Sequence, residues 1–328
     1  MDRPILITGG TGFIGRRVVE VLRAQGARVR VVVRRRDAAA AVAAAGGEPI
    51  LGDLLDPAVA ARAVSGVRAV YHLAGRLFCP GEPARVYERL HVGATLALVR
   101  AAIAQGDLDF FVLCSTTGVH GATGGRRARE DDPGHPENAY ERTKARAEQL
   151  ASLVARQGGL NLVIARPGLV YGPGDRHLLG WFRSIRGGYY RVIGSGHNAL
   201  HPIYIDDLVR ALLLTGSAAN STCRAYHLVG SQPVTMQALS DAIGKAVGRQ
   251  VPRTHLPRPL AFAMGAVLEA LPVPRRALPL TRSRVRFMTE SRAYDGSRAR
   301  QELGFIPTVE LEDGLARTVA WYRDNGLL

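Results

Sequence analysis

The chain has 328 residues with 47% apolar and 22% charged content, enough for a large buried core and ordinary for a globular protein. Its three cysteines, Cys79, Cys114 and Cys223, are odd in number and far apart. That excludes a disulfide framework or a Cys/His zinc site and points to a reducing compartment. The formal net charge is +15, yet with only Lys144 and Lys245 as lysines, 41 of the 43 basic residues are arginine, spread along the whole chain. Such spread reads as compositional bias, and no nucleic-acid partner is expected.

An apolar run at residues 3–8 leaves no room for a signal peptide. It is followed by Thr8-Gly9-Gly10-Thr11-Gly12-Phe13-Ile14-Gly15, then a helical pattern with Val18, Val19, Val21 and Leu22 that ends near Gly26. A second strand, Val29 to Val33, stops at Arg34-Arg35-Arg36-Asp37. Strand, glycine turn, helix and strand form the βαβ context in which three glycines cradle a dinucleotide. Gly9 permits the tight turn, Gly12 lets the backbone approach a pyrophosphate, and Gly15 lets helix pack on strand. The residues 38–45 read as a helix.

Alternation continues. Ile50-Leu51 leads to Gly52-Asp53-Leu54-Leu55-Asp56 and a helix from about Pro57. Val70 to Gly75 is a strand and its turn, and a long helix is expected over about 86–105. Phe110 to Cys114 ends in Ser115-Thr116-Thr117, a helix runs from Tyr140 to about Gln157, and Leu162 to Ala165 is the next strand. Strands alternating with helices predict a parallel, doubly wound Rossmann-type α/β sheet. After Arg166-Pro167-Gly168 glycine and proline thicken, which predicts a smaller C-terminal substrate-binding lobe. The expected division is 1–174 for the dinucleotide-binding domain, with 201–230 and 291–296 returning to it, and 175–200, 231–290 and 297–328 for the lobe. The longest apolar segment, Leu260 to Leu271, is too short to span a bilayer and contains Glu269. A cytoplasmic location is expected. His197 and His201 lie between Gly196 and Pro202, so no metal site is expected there.

Tyr140 and Lys144 fall on one helix face, one turn apart. A neighbouring ammonium favours a phenolate and moves tyrosine toward use in proton transfer.

With these residues together, the chain resembles the extended short-chain dehydrogenase/reductase family along nearly its full length, and within it the dihydroflavonol-reductase and 3β-hydroxysteroid-dehydrogenase branch. The pieces occur in family order: Thr8 to Gly15, Gly52-Asp53-Leu54, His72-Leu73-Ala74-Gly75, Ser115-Thr116-Thr117, Tyr140 with Lys144, and Arg166 to Pro173. Tyr204-Ile205-Asp206-Asp207 and Glu302-Leu303-Gly304-Phe305 with Trp321-Tyr322 follow. The resemblance implies that Tyr140 is the general acid or base and that Lys144 holds the nicotinamide ribose and depresses the tyrosine pKa. It implies that Thr116 steadies the reacting oxygen, a role Ser115 or Thr117 could take instead. It implies cofactor contacts from Gly9, Thr11, Gly12, Phe13, Ile14, Asp53, Leu54, Leu73, Ala74, Gly75 and Pro167.

An acidic residue at the end of the second strand accepts from the ribose of NAD, whereas arginine there accommodates the 2′-phosphate of NADP. Arg34 and Arg35 occupy that place, so NADP is expected, with NAD as the alternative. The chain departs from the family pattern in three places. His91 stands where asparagine is common, Thr117-Gly118 where sugar dehydratases carry Asp-Glu, and Leu200 where nucleotide-sugar enzymes carry a diphosphate-gripping arginine. Arg176, Arg183, Arg186 and Arg191 are its candidate substitutes. The expected function is hydride transfer between NADP and a small-molecule ketone or secondary alcohol. A nucleotide-sugar epimerase with retained NAD is the second reading, and a non-catalytic cofactor-binding protein the third. A homodimer through the helices at 86–105 and 140–157 is a family expectation.

Overall fold

In a computed structural model, residues 3–217, 222–275 and 278–328 are described. Seven strands make one parallel sheet: β1 (Ile5–Thr8), β2 (Val29–Val33), β3 (Glu48–Leu51), β4 (Ala69–His72), β5 (Phe110–Cys114), β6 (Leu162–Pro167) and β7 (Arg224–Leu228). Their order is β7-β6-β5-β4-β1-β2-β3. The α/β Rossmann-type sheet expected from the alternation is therefore present. Its winding reverses between β1 and β4, which opens a crevice at their carboxyl ends.

The central strands are short, nearly continuous apolar runs because both faces are covered. Side chains alternate between those faces. Ile5, Ile7, Val31 and Val163 enter one core, and Leu6, Val70, Phe111 and Leu162 the other. Helices α1 (Phe13–Ala24), α2 (Arg36–Ala44) and α3 (Pro57–Val64) follow the first three strands. α1 buries Gly15, Val18 and Leu22, the three-to-four spacing of one helical face. The helix expected at 86–105 is one continuous element with a wide turn inside it. A helical turn at Ala84–Tyr87 passes through π-type winding at Glu88–Gly93 into α4 (Ala94–Gln105).

The helix α5 (Ala139–Gln157) starts on Asn138, whose side chain accepts from Glu141 N at 3.0 Å. It buries Thr143, Lys144, Ala147, Glu148, Ala151 and Ala155 against the sheet. Beyond β6 come α6 (Leu179–Arg186), α7 (Ile205–Ser217), α8 (Met236–Val247), α9 (Arg258–Glu269), α10 (Arg282–Thr289), α11 (Ser297–Leu303) and α12 (Leu311–Asp324). Phe182, Ile243 and Tyr322 of α6, α8 and α12 join the core that also holds Ile5 and Ile7. A smaller core of Ile193, Ala261 and Val285 sits between α9 and α10. Short ladders pair Leu169–Tyr171 with Pro202–Tyr204, and Arg127–Ala128 with Ala293–Tyr294. Among the described residues no helix is long and apolar enough to cross a membrane.

Candidate active site

The crevice is a cavity of about 1150 Å³, larger than the roughly 300–1,000 Å³ that holds one drug-sized ligand. Gly9, Thr11, Gly12, Phe13, Ile14, Arg34, Asp53, Leu54, Leu73, Ala74, Gly75, Thr116, Tyr140, Lys144 and Pro167 all line it. Arg35 is not among the lining residues. It turns outward and pairs with Asp37, both side chains exposed.

The glycine turn is shaped by contact. Gly9 has φ +71°, and a Cβ there would lie 2.8 Å from Ala74 N. A Cβ on Gly15 would lie 2.2 Å from Gly9 O, so only glycine lets α1 come this close to β1. Gly12 caps α1 without a side-chain hydrogen bond, and the first turn holds no acidic residue. Such an end presents free N–H groups to a diphosphate. Asp53 is exposed and accepts from Leu55 N at 3.0 Å, while Asp56 caps α3. Its carboxylate is thus free of the helix-capping duty.

The turn after β4 is fixed by a directional hydrogen-bond chain. Ala74 N donates to Thr8 Oγ1 at 3.1 Å, and Thr8 Oγ1 and His72 Nδ1 are 2.7 Å apart. His72 Nε2 lies 2.9 Å from Thr95 Oγ1. Since Thr95 Oγ1 gives its one proton to His91 O, it accepts from His72 Nε2, so the imidazole carries its proton on Nε2 and Thr8 donates to Nδ1. Burial holds the His72 pKa down to about 3, so the ring is neutral. His91 is likewise buried and held to about 3 by burial first and then by Lys144. Its Nε2 accepts from Arg76 N at 3.2 Å, and its Nδ1 lies 2.9 Å from Thr143 Oγ1. His91 thereby ties the segment after Gly75 to α5, and its ring meets Tyr140 edge-on at 5.5 Å.

Tyr140, Thr116 and Lys144 converge. The Tyr140 hydroxyl lies beside that of Thr116, whose Oγ1 accepts from Gly118 N at 3.1 Å. Thr117 instead donates to Pro167 O at 3.1 Å, and the Ser115 hydroxyl is buried without a protein partner. Of the three hydroxyls at this strand end, Thr116 is the one that acts on the tyrosine, favouring its ionised form. Lys144 is buried and donates to Cys114 O at 2.9 Å, with burial lowering its pKa. Burial raises the Tyr140 pKa above the ordinary tyrosine value, and the Thr116 hydrogen bond pulls the other way. In the protein alone, desolvation outweighs the expected lowering by Lys144, and Tyr140 rests as a neutral phenol.

The charged wall residues Arg292, Glu137 and Glu141 had no signal in the sequence. Arg292 donates to Glu141 Oε1 at 2.9 Å and to Glu137 Oε2 at 2.7 Å, and Glu137 N donates to Glu141 Oε2 at 2.8 Å. A Cβ on Gly118 would lie 3.3 Å from Glu141 Oε1. The carboxylate of Glu141 thus fills the space a side chain at 118 would claim. Phe262, Phe287, Leu77, Phe78 and Leu90 add apolar surface to the cavity wall. Leu200 lines the cavity, whereas none of Arg176, Arg183, Arg186 and Arg191 does.

Residues 5–227 match the NAD dependent epimerase/dehydratase family. The chain belongs to that family. As a member it is an NAD-dependent enzyme of the extended short-chain dehydrogenase/reductase kind, as the ordered motifs implied. This epimerase/dehydratase-family enzyme is 33% identical to a 2-alkyl-3-oxoalkanoate reductase of Stenotrophomonas maltophilia (strain K279a), over 96% of this chain and 98% of the relative. The solved structure of gox2253 matches it with a TM-score of 0.83 at 25% identity, covering 100% of both chains. DesIV, a dTDP-glucose 4,6-dehydratase from Streptomyces venezuelae solved as a double mutant with NAD and DAU bound, matches with a TM-score of 0.78 at 26% identity. That match covers 98% of this chain and 97% of the other.

Proposed function

We propose that the protein is an NADP-preferring reductase of a ketone, with Tyr140 as the proton donor. The observation carrying this reading is that Thr116, Tyr140 and Lys144 meet in the same cavity as the glycine turn, and that Leu77, Phe78, Leu90, Phe262 and Phe287 line that cavity too. When bound, the dinucleotide supplies the hydride that the carbonyl carbon takes up. The phenol of Tyr140 gives its proton to the carbonyl oxygen, so that ketone becomes secondary alcohol and the dinucleotide is left oxidised. A phenol kept protonated by burial suits this direction, because it already holds the proton it donates. Thr116, within hydrogen-bond reach of that phenol, steadies the charge developing on the same oxygen. Lys144 is placed to hold ribose hydroxyls from below Gly75, where a Cβ would come 3.3 Å from its Nζ. Arg34 is the group for the 2′-phosphate, since it faces the cavity and no carboxylate pairs with it among the described residues.

The relative named as a 2-alkyl-3-oxoalkanoate reductase favours the same chemistry class. Sugar elimination is disfavoured because both oxygens of Glu141 are already engaged by Arg292 and Glu137 N. The test is Tyr140→Phe, read by NADPH absorbance with 2-alkyl-3-oxo acids and simple ketones. Turnover should fall on the order of 10²–10⁴-fold while NADPH fluorescence still reports binding. Retained turnover in this variant, or interconversion of UDP-sugars by the wild type without net redox change, refutes the reading.

A further inference from the structure

The cavity wall holds more cations than the cofactor accounts for, and most are neutralised. Arg76 pairs with Glu82, Arg282 with Glu269, and Arg292 with Glu137 and Glu141. Arg284 differs. It lines the cavity and is half-buried, yet its guanidinium meets only neutral groups: Nη1 donates to Leu278 O and, at 3.1 Å, to Pro279 O. Among the described residues no carboxylate pairs with it, and its Nε and Nη2 make no hydrogen bond. It also sits in the first turn of α10, which holds no acidic residue and where the helix dipole is already positive. A partly desolvated cation facing a like-signed helix end is costly unless an anion completes it. Burial depresses its pKa, in keeping with a charge short of partners.

We propose that Arg284 seats an anionic group of the substrate, a carboxylate or a phosphate, in the cavity that the glycine turn also lines. The neighbouring Phe78, Phe262 and Phe287 would take its hydrocarbon substituents. Guanidinium offers two parallel N–H donors to such a group, and Nε with Nη2 is the edge left unpartnered here. Together with the ketone reading, on which this step rests, the substrate class becomes an apolar oxo compound bearing a fixed negative charge. Ser283, beside Arg284 in the wall, supplies a further hydroxyl near that charge.

The experiment compares kcat/KM for a 2-alkyl-3-oxo acid and its methyl ester in the wild type, Arg284→Gln and Arg284→Lys, each saturated with NADPH. The wild type should prefer the acid by roughly 10- to 100-fold, the size of a charged hydrogen bond. Arg284→Gln should bring acid and ester to near parity, and Arg284→Lys should restore part of the preference. NADPH fluorescence on each variant establishes that it is folded. Equal use of acid and ester by the wild type, or an unchanged ratio in Arg284→Gln, overturns the Arg284 assignment and leaves the ketone reading standing. If neither compound is reduced, the ketone reading fails. The anion seat is then decided by thermal protection from UDP against uridine, with NADP saturating. Protection by UDP that disappears in Arg284→Gln identifies a phosphate seat, and equal effects of UDP and uridine overturn it.

Discussion

Five histidines are buried and neutral, and together they predict a steep loss of stability in mild acid. His72 and His91 are held to about 3, His120 and His201 to about 4, and His227 well below the ordinary value, each chiefly by burial. All five side chains are enclosed. In the unfolded chain each titrates near ~6.5. The folded pKa lies below the unfolded one, so the unfolded state binds more protons under pH ~6.5 and stability falls as pH falls. The full contribution is present above that pH and is lost progressively down to about 3–4, where the folded protein titrates too. At pH 5 each histidine costs about 2 kcal/mol relative to pH 7, because one unit of pH is worth about 1.4 kcal/mol per proton. Five such groups sum to roughly 10 kcal/mol, comparable with the whole stability of a domain. Buried Glu130 and Asp175, whose pKa values burial raises, bind protons more readily folded than unfolded and so act in the opposite sense. The carboxylates held low, such as Asp131 and Glu302, titrate below the window. Urea unfolding followed by circular dichroism at pH 7.5, 6.5, 5.5 and 5.0 measures the slope. A stability constant over that range, or one falling by less than a single histidine predicts, refutes the neutral buried assignment.

Two further outcomes concern charge. Arg34→Ala should weaken NADP roughly 10- to 100-fold, the value of a charge-assisted phosphate contact, and change NAD far less. Arg35→Ala should do little, because Arg35 is spent on Asp37 at the surface; isothermal titration of both nucleotides decides, and equal losses for both would remove Arg34 from the phosphate. Arg292→Gln should lower unfolding stability by about 3–5 kcal/mol, since it strands Glu137 and Glu141 beside each other without their cation. A urea midpoint within error of the wild type would contradict that.

The strands were legible because a sheet covered on both faces is written as short apolar runs, and Ile5–Thr8, Val29–Val33 and Phe110–Cys114 need no partner to be noticed. The glycine turn was legible because Gly9, Gly12 and Gly15 answer to contacts within one βαβ unit. The Tyr140 and Lys144 pair was legible because it is one helical turn. What escaped shares a different property. Arg292 and Glu141 are 151 positions apart, and no local period links them. Arg284 is one arginine in a chain of 41, and only its half-buried place in the cavity wall with no carboxylate beside it sets it apart. The outward pairing of Arg35 with Asp37 is set by side-chain placement at the surface, so the two arginines looked equivalent in sequence.

That same arginine excess bears on Lys144. A chain so biased places arginine at nearly every cationic position; exposed Lys245 shows that lysine also occurs by chance, but Lys144 stands in the site. The structure supplies the reason at this position. The Lys144 ammonium is enclosed, donates to Cys114 O at 2.9 Å, and lies close enough to Gly75 that even a methyl group there would come within 3.3 Å. A planar guanidinium is wider and cannot turn its donors independently, whereas a compact ammonium has three donors on one point. One is taken by Cys114 O, which leaves the others free to reach upward past Gly75. Burial also lowers the Lys144 pKa, and its neighbours Cys114 and Glu148 act against that. The lysine is therefore set by space and donor geometry, and the protonation state of Tyr140 in the resting protein is set by burial and Thr116 rather than by Lys144.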